Sequence, residues 1–348
     1  MYHDLLVELV RRYSPSTHES PAVQYLADWM GSNGFRAHID EAGNACGERG
    51  QPDAPHTLVL LGHIDTVPGE IPVRIEDGKL YGRGSVDAKG SLATFAQAAS
   101  EAQIPDGWRV VVIGAVEEEV ATSKGAYYAR DRFAPDFCII GEPSSATRIT
   151  LGYKGRLLID YTLSHPIAHT ARPEPTVGAL GAGFWGKVEK WADEKNAGID
   201  RYFDQVMASL RSINTESDYF CDTLRMTMGF RLPPGLTPQE VFDTISQFAP
   251  AGGELRPYSM EYAYQGNRTN PLVRGMSAAI RTNGGQPGFV LKTGTSDMNV
   301  VGVKWTCPII AYGPGDSNLD HTPNEHLPLD EYELAVSTLR HFISNLSL

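Results

Sequence analysis

The chain has 348 residues, 41% of them hydrophobic, and a formal net charge of -12. That length suits two domains or one large α/β domain with an insertion, and the acid excess argues against nucleic acid and anionic membrane as partners. Cys46, Cys138, Cys221 and Cys307 are scattered and indicate neither a disulfide framework nor a zinc knuckle, and the amphipathic start MYHDLLVELVRRYSPS, with no apolar stretch of bilayer length anywhere, predicts a cytoplasmic protein.

Helical periodicity covers residues 4–13 and stops at Ser14-Pro15-Ser16. A second helix is expected over 20–34, with Ser20 as N-cap, Pro21 in the first turn and Gly34 past the end. Strands at 36–40 and 58–61 follow, then a hairpin over 73–80 that turns at Asp77-Gly78. A small-residue helix at 91–102, a strand at 109–116, a helix at 124–133 and a strand at 137–140 predict an α/β sheet with helices on its faces. Beyond residue 150 the rhythm changes. Strands at 156–163, 223–232 and 255–262 alternate with helices at 177–193 and 238–248, which suggests a separate α+β unit with an antiparallel sheet. The α/β pattern resumes with a helix at 272–283, a loop at 292–299, a strand at 307–312 and a helix at 330–345. The reading is a catalytic domain in two parts, 1–152 and 265–348, interrupted by an inserted lid at 153–264.

Chemistry concentrates in Leu58 to Gly90. The apolar run Leu58–Leu61 delivers Gly62-His63-Ile64-Asp65 to its end, and Gly82-Arg83-Gly84-Ser85-Val86-Asp87-Ala88-Lys89-Gly90 closes the stretch. A neutral imidazole is a good ligand for a borderline divalent ion, and a carboxylate two residues on can orient it. By itself the pair suits a plain strand end as well as a metal site. Glu117-Glu118-Glu119 follows an apolar strand, and so does Glu142 in Phe137-Cys138-Ile139-Ile140-Gly141-Glu142. Alone, the triple glutamate reads as a solvated charge run, and His321 in Asn318-Leu319-Asp320-His321 as a surface histidine. Together, strand ends supply His63, Asp87, Glu119, Glu142 and His321, an N/O donor set for two borderline ions, with zinc favoured and cobalt or manganese as alternatives.

In this order, GHIDTVP, GRGSVDAKG, EEE, GEPS and LDHTPNEH resemble the M20 family of dinuclear metallo-aminoacylases and carboxypeptidases. The resemblance implies a zinc-peptidase-like α/β catalytic domain with an inserted α+β lid and dimerisation domain. It implies that His63, Asp87 and Glu142 hold one metal, and that Asp87, Glu119 and His321 hold the other, with Asp87 bridging. Asp65 would orient His63, and Glu118 would be the general base. His169 would serve the partner subunit's site in a homodimer. Arg231 would bind the substrate carboxylate, cradled also by Gly294, Thr295 and Ser296.

Within the family, ITLGYKGRL, FRLPP, LKTGTSDMNV and AYGPGDSNLDHTPNEH resemble the hydrolases that free lysine, or ornithine, from an acidic amino-group carrier protein. That reading calls for a local basic surface, with Lys154, Arg156, Arg172, Arg201 and Arg268 as candidates. A small-molecule deacylase of the acetylornithine or acetyl-lysine type, a carboxypeptidase-like dipeptidase and a metal-free binding protein are the alternatives.

Overall fold

The computed structural model describes residues 3–169 and 173–348. The first stretch runs α1 (Asp4–Arg11), α2 (Ser20–Ser32), β1 (Arg36–Ile39), β2 (Ala45–Gly50), β3 (His56–His63), β4 (Arg74–Glu76), β5 (Lys79–Tyr81), α3 (Lys89–Glu101), β6 (Trp108–Ala115), α4 (Lys124–Arg132), β7 (Phe137–Gly141) and β8 (Arg148–Tyr153). Then come β9 (Gly155–Pro166), α5 (Val177–Asn196), β10 (Met207–Ser217), β11 (Cys221–Leu232), α6 (Pro238–Ser246), β12 (Glu254–Glu261) and β13 (Tyr264–Gln265). The chain closes with α7 (Pro271–Thr282), β14 (Gly288–Lys292), α8 (Asp297–Val301), β15 (Ile309–Ala311), β16 (His326–Pro328) and α9 (Leu329–Ser344). Two compact units result. One runs up to Gly152 and resumes over Gln265–Leu291 and Ser296–Leu348; the other is Tyr153–Tyr264 with Lys292–Thr295.

The first unit is built on a mixed nine-stranded sheet, ordered β1-β2-β6-β3-β7-β15-β8-β13, with β14 on β8. Its centre, β6-β3-β7-β15, is parallel. Central parallel strands are covered on both faces and therefore read as unbroken apolar runs; from Thr57 to His63 every residue of β3 is buried. Leu92 and Phe95 of α3 close onto this sheet beside Leu58, Leu60, Val110, Val112 and Ile139, each fully buried. A leucine removed from water in this way stabilises by about 1.5–3 kcal/mol.

Gly114, Gly62 and Gly141 lie side by side across β6, β3 and β7. A Cβ on Gly141 would stand 2.9 Å from the Gly62 Cα and 3.0 Å from the Phe95 ring, and one on Gly114 would stand 2.9 Å from Leu26. The glycine row lets the helices approach the sheet one residue before His63 and Glu142 emerge from it. Asp77 (φ 48°) and Gly78 (φ 73°) make the expected hairpin turn between β4 and β5. The third strand of that small sheet, β16, pairs with β5 from 245 or more residues away: Leu327 opposes Leu80.

Three expectations need correction here. The N-cap of α2 is Glu19, not Ser20, because the Glu19 carbonyl accepts the first helical amides, of Ala22 and Val23, while its carboxylate turns away to the amides of Thr17 and Glu117. Residues 292–299 are not one loop: Lys292 ends β14, and Ser296 and Asn299 form a capping box that starts α8 at Asp297. The second unit has four antiparallel strands, ordered β10-β11-β9-β12, not three. The missed strand, β10, is an edge strand with a largely exposed polar sequence, so it lacks a clear apolar alternation. The core of this unit packs Leu157, Ile159, Tyr161, Met226, Met228 and Phe230 of the sheet against Phe184, Val188 and Trp191 of α5 and Val241 and Ile245 of α6.

Candidate active site

Open α/β sheets place their sites beyond the carboxyl ends of the parallel strands. Here β3 ends at His63, β6 leads into Glu117-Glu118-Glu119 and β7 into Glu142. His63, Asp87 and Glu119 offer donor atoms that all lie within 4.8 Å of one another. Asp87 is the centre of the group. Its Oδ1 stands 3.2 Å from His63 Nε2 and its Oδ2 3.1 Å from His321 Nε2. His321 Nε2 is also 3.1 Å from Glu119 Oε1. One carboxylate thus presents a separate oxygen to each of two imidazoles. Glu142 is buried at the same sheet edge, near enough for its charge to act on Glu118.

The backbone works to hold this arrangement. Asp65 is wholly buried; its Oδ1 accepts the Glu118 amide (3.0 Å) and its Oδ2 accepts the Glu119 amide (3.0 Å) and the Ser16 hydroxyl (2.7 Å). Its Oδ1 also lies 3.5 Å from His63 Nδ1, whose nearer partner is the Asp65 carbonyl at 3.0 Å. Asp65 therefore ties the histidine strand to the glutamate turn, a wider job than orienting the ring. Lys89, fully buried two residues past Asp87, donates to the Leu9 and Arg12 carbonyls at 3.0 and 2.7 Å. Glu117 and His321 both adopt left-handed backbone at φ 61°, a conformation that costs a non-glycine residue energy and recurs at functional sites.

Electrostatics follow from packing carboxyls together. Burial pushes Glu118 well above the carboxylate range, against the pull of His63 and with help from Asp297, Glu142 and Glu119. Burial likewise raises Asp297 to about 7 and, with Asp87, raises Glu119. Burial opposes charge on His63, yet Asp65 and Asp87 hold that ring well above its ordinary value. Hydrogen bonds that His321 donates to Asp87 and Glu119 push it up to about 10. Burial would raise Asp87 too, but the two imidazoles carry it below the usual range.

The residues fit divalent cations. Asp65, Asp87, Glu118, Glu119, Glu142 and Asp297 crowd round two imidazoles, a surplus of buried negative charge that cations relieve. Asp297 Oδ1 is buried without a hydrogen-bond partner. The four cysteines are free thiols, and the donors are nitrogen and oxygen only, as zinc, cobalt or manganese accept.

Residues 59–345 match Peptidase family M20/M25/M40. The chain belongs to that family. M20 enzymes cleave amide bonds, and this chain is an amide hydrolase. It is 45% identical to the LysW-lysine hydrolase of Deinococcus radiodurans, covering 99% of this chain and 96% of that one. It is 28% identical to the LysW-lysine/LysW-ornithine hydrolase of Saccharolobus islandicus, covering 96% and 93%. Among solved structures, the M20 metallo-carboxypeptidase Sso-CP2 of Sulfolobus solfataricus superposes with a TM-score of 0.79 at 17% identity, over 99% of this chain and 98% of that one. The Bacillus subtilis YXEP protein, a dinuclear metal-binding M20 peptidase, gives 0.74 at 12%, over 99% and 96%. At such identities these two speak for the fold alone.

Within the second unit, Arg231 Nη1 donates to Thr295 Oγ1 at 2.8 Å, joining two of the expected substrate residues. Gly294 has open space where a Cβ would stand. Ser296 is committed to capping α8, its hydroxyl accepting the Met298 amide at 3.2 Å. His169 is exposed. Of the basic candidates, Lys154 is wholly buried and holds the Tyr202 and Gln205 carbonyls, so it cannot meet a partner. Arg156 is engaged by Glu261 at 2.7 and 2.9 Å, Arg201 by Asp204, and Arg268 stacks on Phe289. Arg172 lies outside the described residues. Sequence reasoning missed Ser16, Glu19, Arg83, Asp297 and Glu325. Arg83, Asp297 and Glu325 stand inside motifs already singled out, and a charged side chain in each was the available signal; Ser16 gave none. No helix among the described residues is long and apolar enough to cross a membrane.

Proposed function

We propose that this M20 hydrolase releases lysine, and ornithine as a second substrate, from the C-terminal glutamate γ-carboxyl of a small acidic amino-group carrier protein. The Deinococcus relative, similar along nearly the whole chain, supports that substrate class. The observation that carries the chemistry is Asp87, with one oxygen toward each histidine. His63, Asp87 and Glu142 would hold one cation, and Asp87, Glu119 and His321 the other. Two divalent cations, zinc first with cobalt or manganese as alternatives, would supply a lowered water pKa and an electrophile for the carbonyl.

Glu118 takes the proton of the attacking water and passes it to the leaving amine, a role worth about 10²–10⁴-fold. Arg231, with Gly294, Thr295 and Ser296, binds the carboxylate of the amino acid to be released. His169 of one protomer acts in its neighbour's site as an oxyanion donor.

Glu118→Gln is expected to bind metal as the parent does and to lose at least ~10²-fold in kcat. Near-parental turnover rejects Glu118 as the base. Mixing His169→Ala and Glu118→Ala protomers is expected to restore activity, because each heterodimer then has one complete site; no recovery after demonstrated subunit exchange rejects the sharing. Carrier-bound lysine, carrier-bound ornithine and acetylornithine, assayed side by side, test the substrate. A preference for acetylornithine overturns the carrier assignment.

A further inference from the structure

The loop that bears Asp87 and the loop that bears His321 are far apart in sequence, and one side chain fastens them together. Glu325 is 1% exposed. Its Oε1 accepts two consecutive amides, Val86 at 2.9 Å and Asp87 at 3.1 Å. Its Oε2 accepts from Arg83 Nη1 at 2.8 Å. Arg83 also donates from Nε to the Gly69 carbonyl (2.9 Å) and from Nη1 to the Thr322 carbonyl (3.2 Å).

The strand pairing explains why these groups meet. His326 opposes Tyr81 where β16 runs against β5, and the Gly82 amide extends that ladder to the Glu325 carbonyl at 3.4 Å. The residues leaving the two strands, Glu325 on one side and Arg83 to Asp87 on the other, are therefore neighbours. Glu325 sits four residues past His321 on the same loop. A carboxylate that holds the Asp87 amide from that position fixes where the Asp87 side chain starts, and so how its oxygens divide between His63 and His321.

We propose that Glu325, neutralised by Arg83, is a positioning residue for the metal pair: it aims the shared aspartate and locks the His321 loop to it. This rests on the reading of His63, Asp87, Glu119, Glu142 and His321 as the ligands. Outer partners of metal ligands are worth about 10–100-fold in metal affinity. Acceptance of the two amides needs an oxygen, not a charge, but the other carboxylate oxygen faces Arg83, so glutamine turns its NH₂ group on that guanidinium and serves fully only where Arg83 is removed as well; alanine keeps none of the function.

The test is Co²⁺ titration of the chelator-stripped full-length chain, followed by calorimetry and visible absorption, for the parent, Glu325→Ala, Glu325→Gln and Arg83→Met/Glu325→Gln. The last removes both buried charges together and guards against an unpaired arginine unfolding the chain. The parent is expected to take two equivalents. Glu325→Ala is expected to lose affinity for at least one of them by about 10–100-fold, with altered cobalt absorption, while Arg83→Met/Glu325→Gln stays within about 5-fold of the parent, a loss of roughly 1 kcal/mol or less, and Glu325→Gln alone falls between the two because its NH₂ group opposes Arg83. Parental affinity for both equivalents in Glu325→Ala overturns the proposal, and so does an Arg83→Met/Glu325→Gln chain that folds and binds no better than the alanine variant. A parent that takes up no Co²⁺ refutes the ligand reading itself, a result distinct from either.

Discussion

Replacing Asp65 by asparagine tests the site at its most connected point. The shapes match, but one carboxylate oxygen becomes an NH₂ group. Oδ1 accepts the Glu118 amide and Oδ2 accepts the Glu119 amide, each at 3.0 Å. Whichever way the new amide turns, one of those N–H groups meets a donor in a position with no exposure to water. Leaving a buried donor unsatisfied costs about 1–3 kcal/mol. The loss falls on the turn that carries the proposed base and a proposed ligand, and the charge 3.5 Å from His63 Nδ1 disappears with it. Metal affinity is expected to fall about 10–100-fold, with kcat at saturating metal falling as well. Amide hydrogen exchange at Glu118 and Glu119 should quicken, while the Ser16 side of the loop is affected only if its hydroxyl loses the remaining oxygen. Parental exchange at both amides together with parental Co²⁺ affinity refutes the argument that Asp65 holds this turn.

Gly141→Ala forces a methyl against the Gly62 Cα at 2.9 Å and the Phe95 ring at 3.0 Å, so it is expected to destabilise the first unit by about 1–3 kcal/mol in chemical unfolding. In the metal-free chain His321 titrates near 10 rather than 6.5, so its pairing with Asp87 and Glu119 stabilises the fold fully below pH 6.5 and is lost as the pH rises through about 10. His321→Ala should flatten that loss in a series of thermal midpoints across the range. Because His63 and His321 are both held protonated, metal uptake at neutral pH should expel protons, visible as a dependence of the binding heat on the ionisation enthalpy of the buffer.

The α/β class was legible because β3, β6 and β7 are covered on both faces and announce themselves as apolar runs. The position of the candidate site was legible for a related reason, since each run ends abruptly in His63, Glu117 or Glu142. What stayed hidden depended on partners far along the chain. β16 is a three-residue strand whose existence rests on pairing with β5, and no periodicity marks it. Glu325 and Arg83 look like surface charges until that pairing buries them. β10 is hidden by its exposure, and the capping of α8 by Ser296 depends on four residues that read equally well as a polar loop. Lys154 is the opposite failure: charge suggested a surface, whereas the carbonyls of Tyr202 and Gln205 give its ammonium a place inside.

The pairing of β16 with β5 also sets a timetable for biosynthesis. His63, Asp87, Glu119 and Glu142 are all synthesised before the second unit begins, while His321, Glu325 and the strand that seats them are made only after it. A nascent chain thus carries most of the proposed ligands for a long interval without the loop that completes the set. Tight capture of a metal pair by the proposed ligands would therefore wait until the His321 loop has been made and seated by β16.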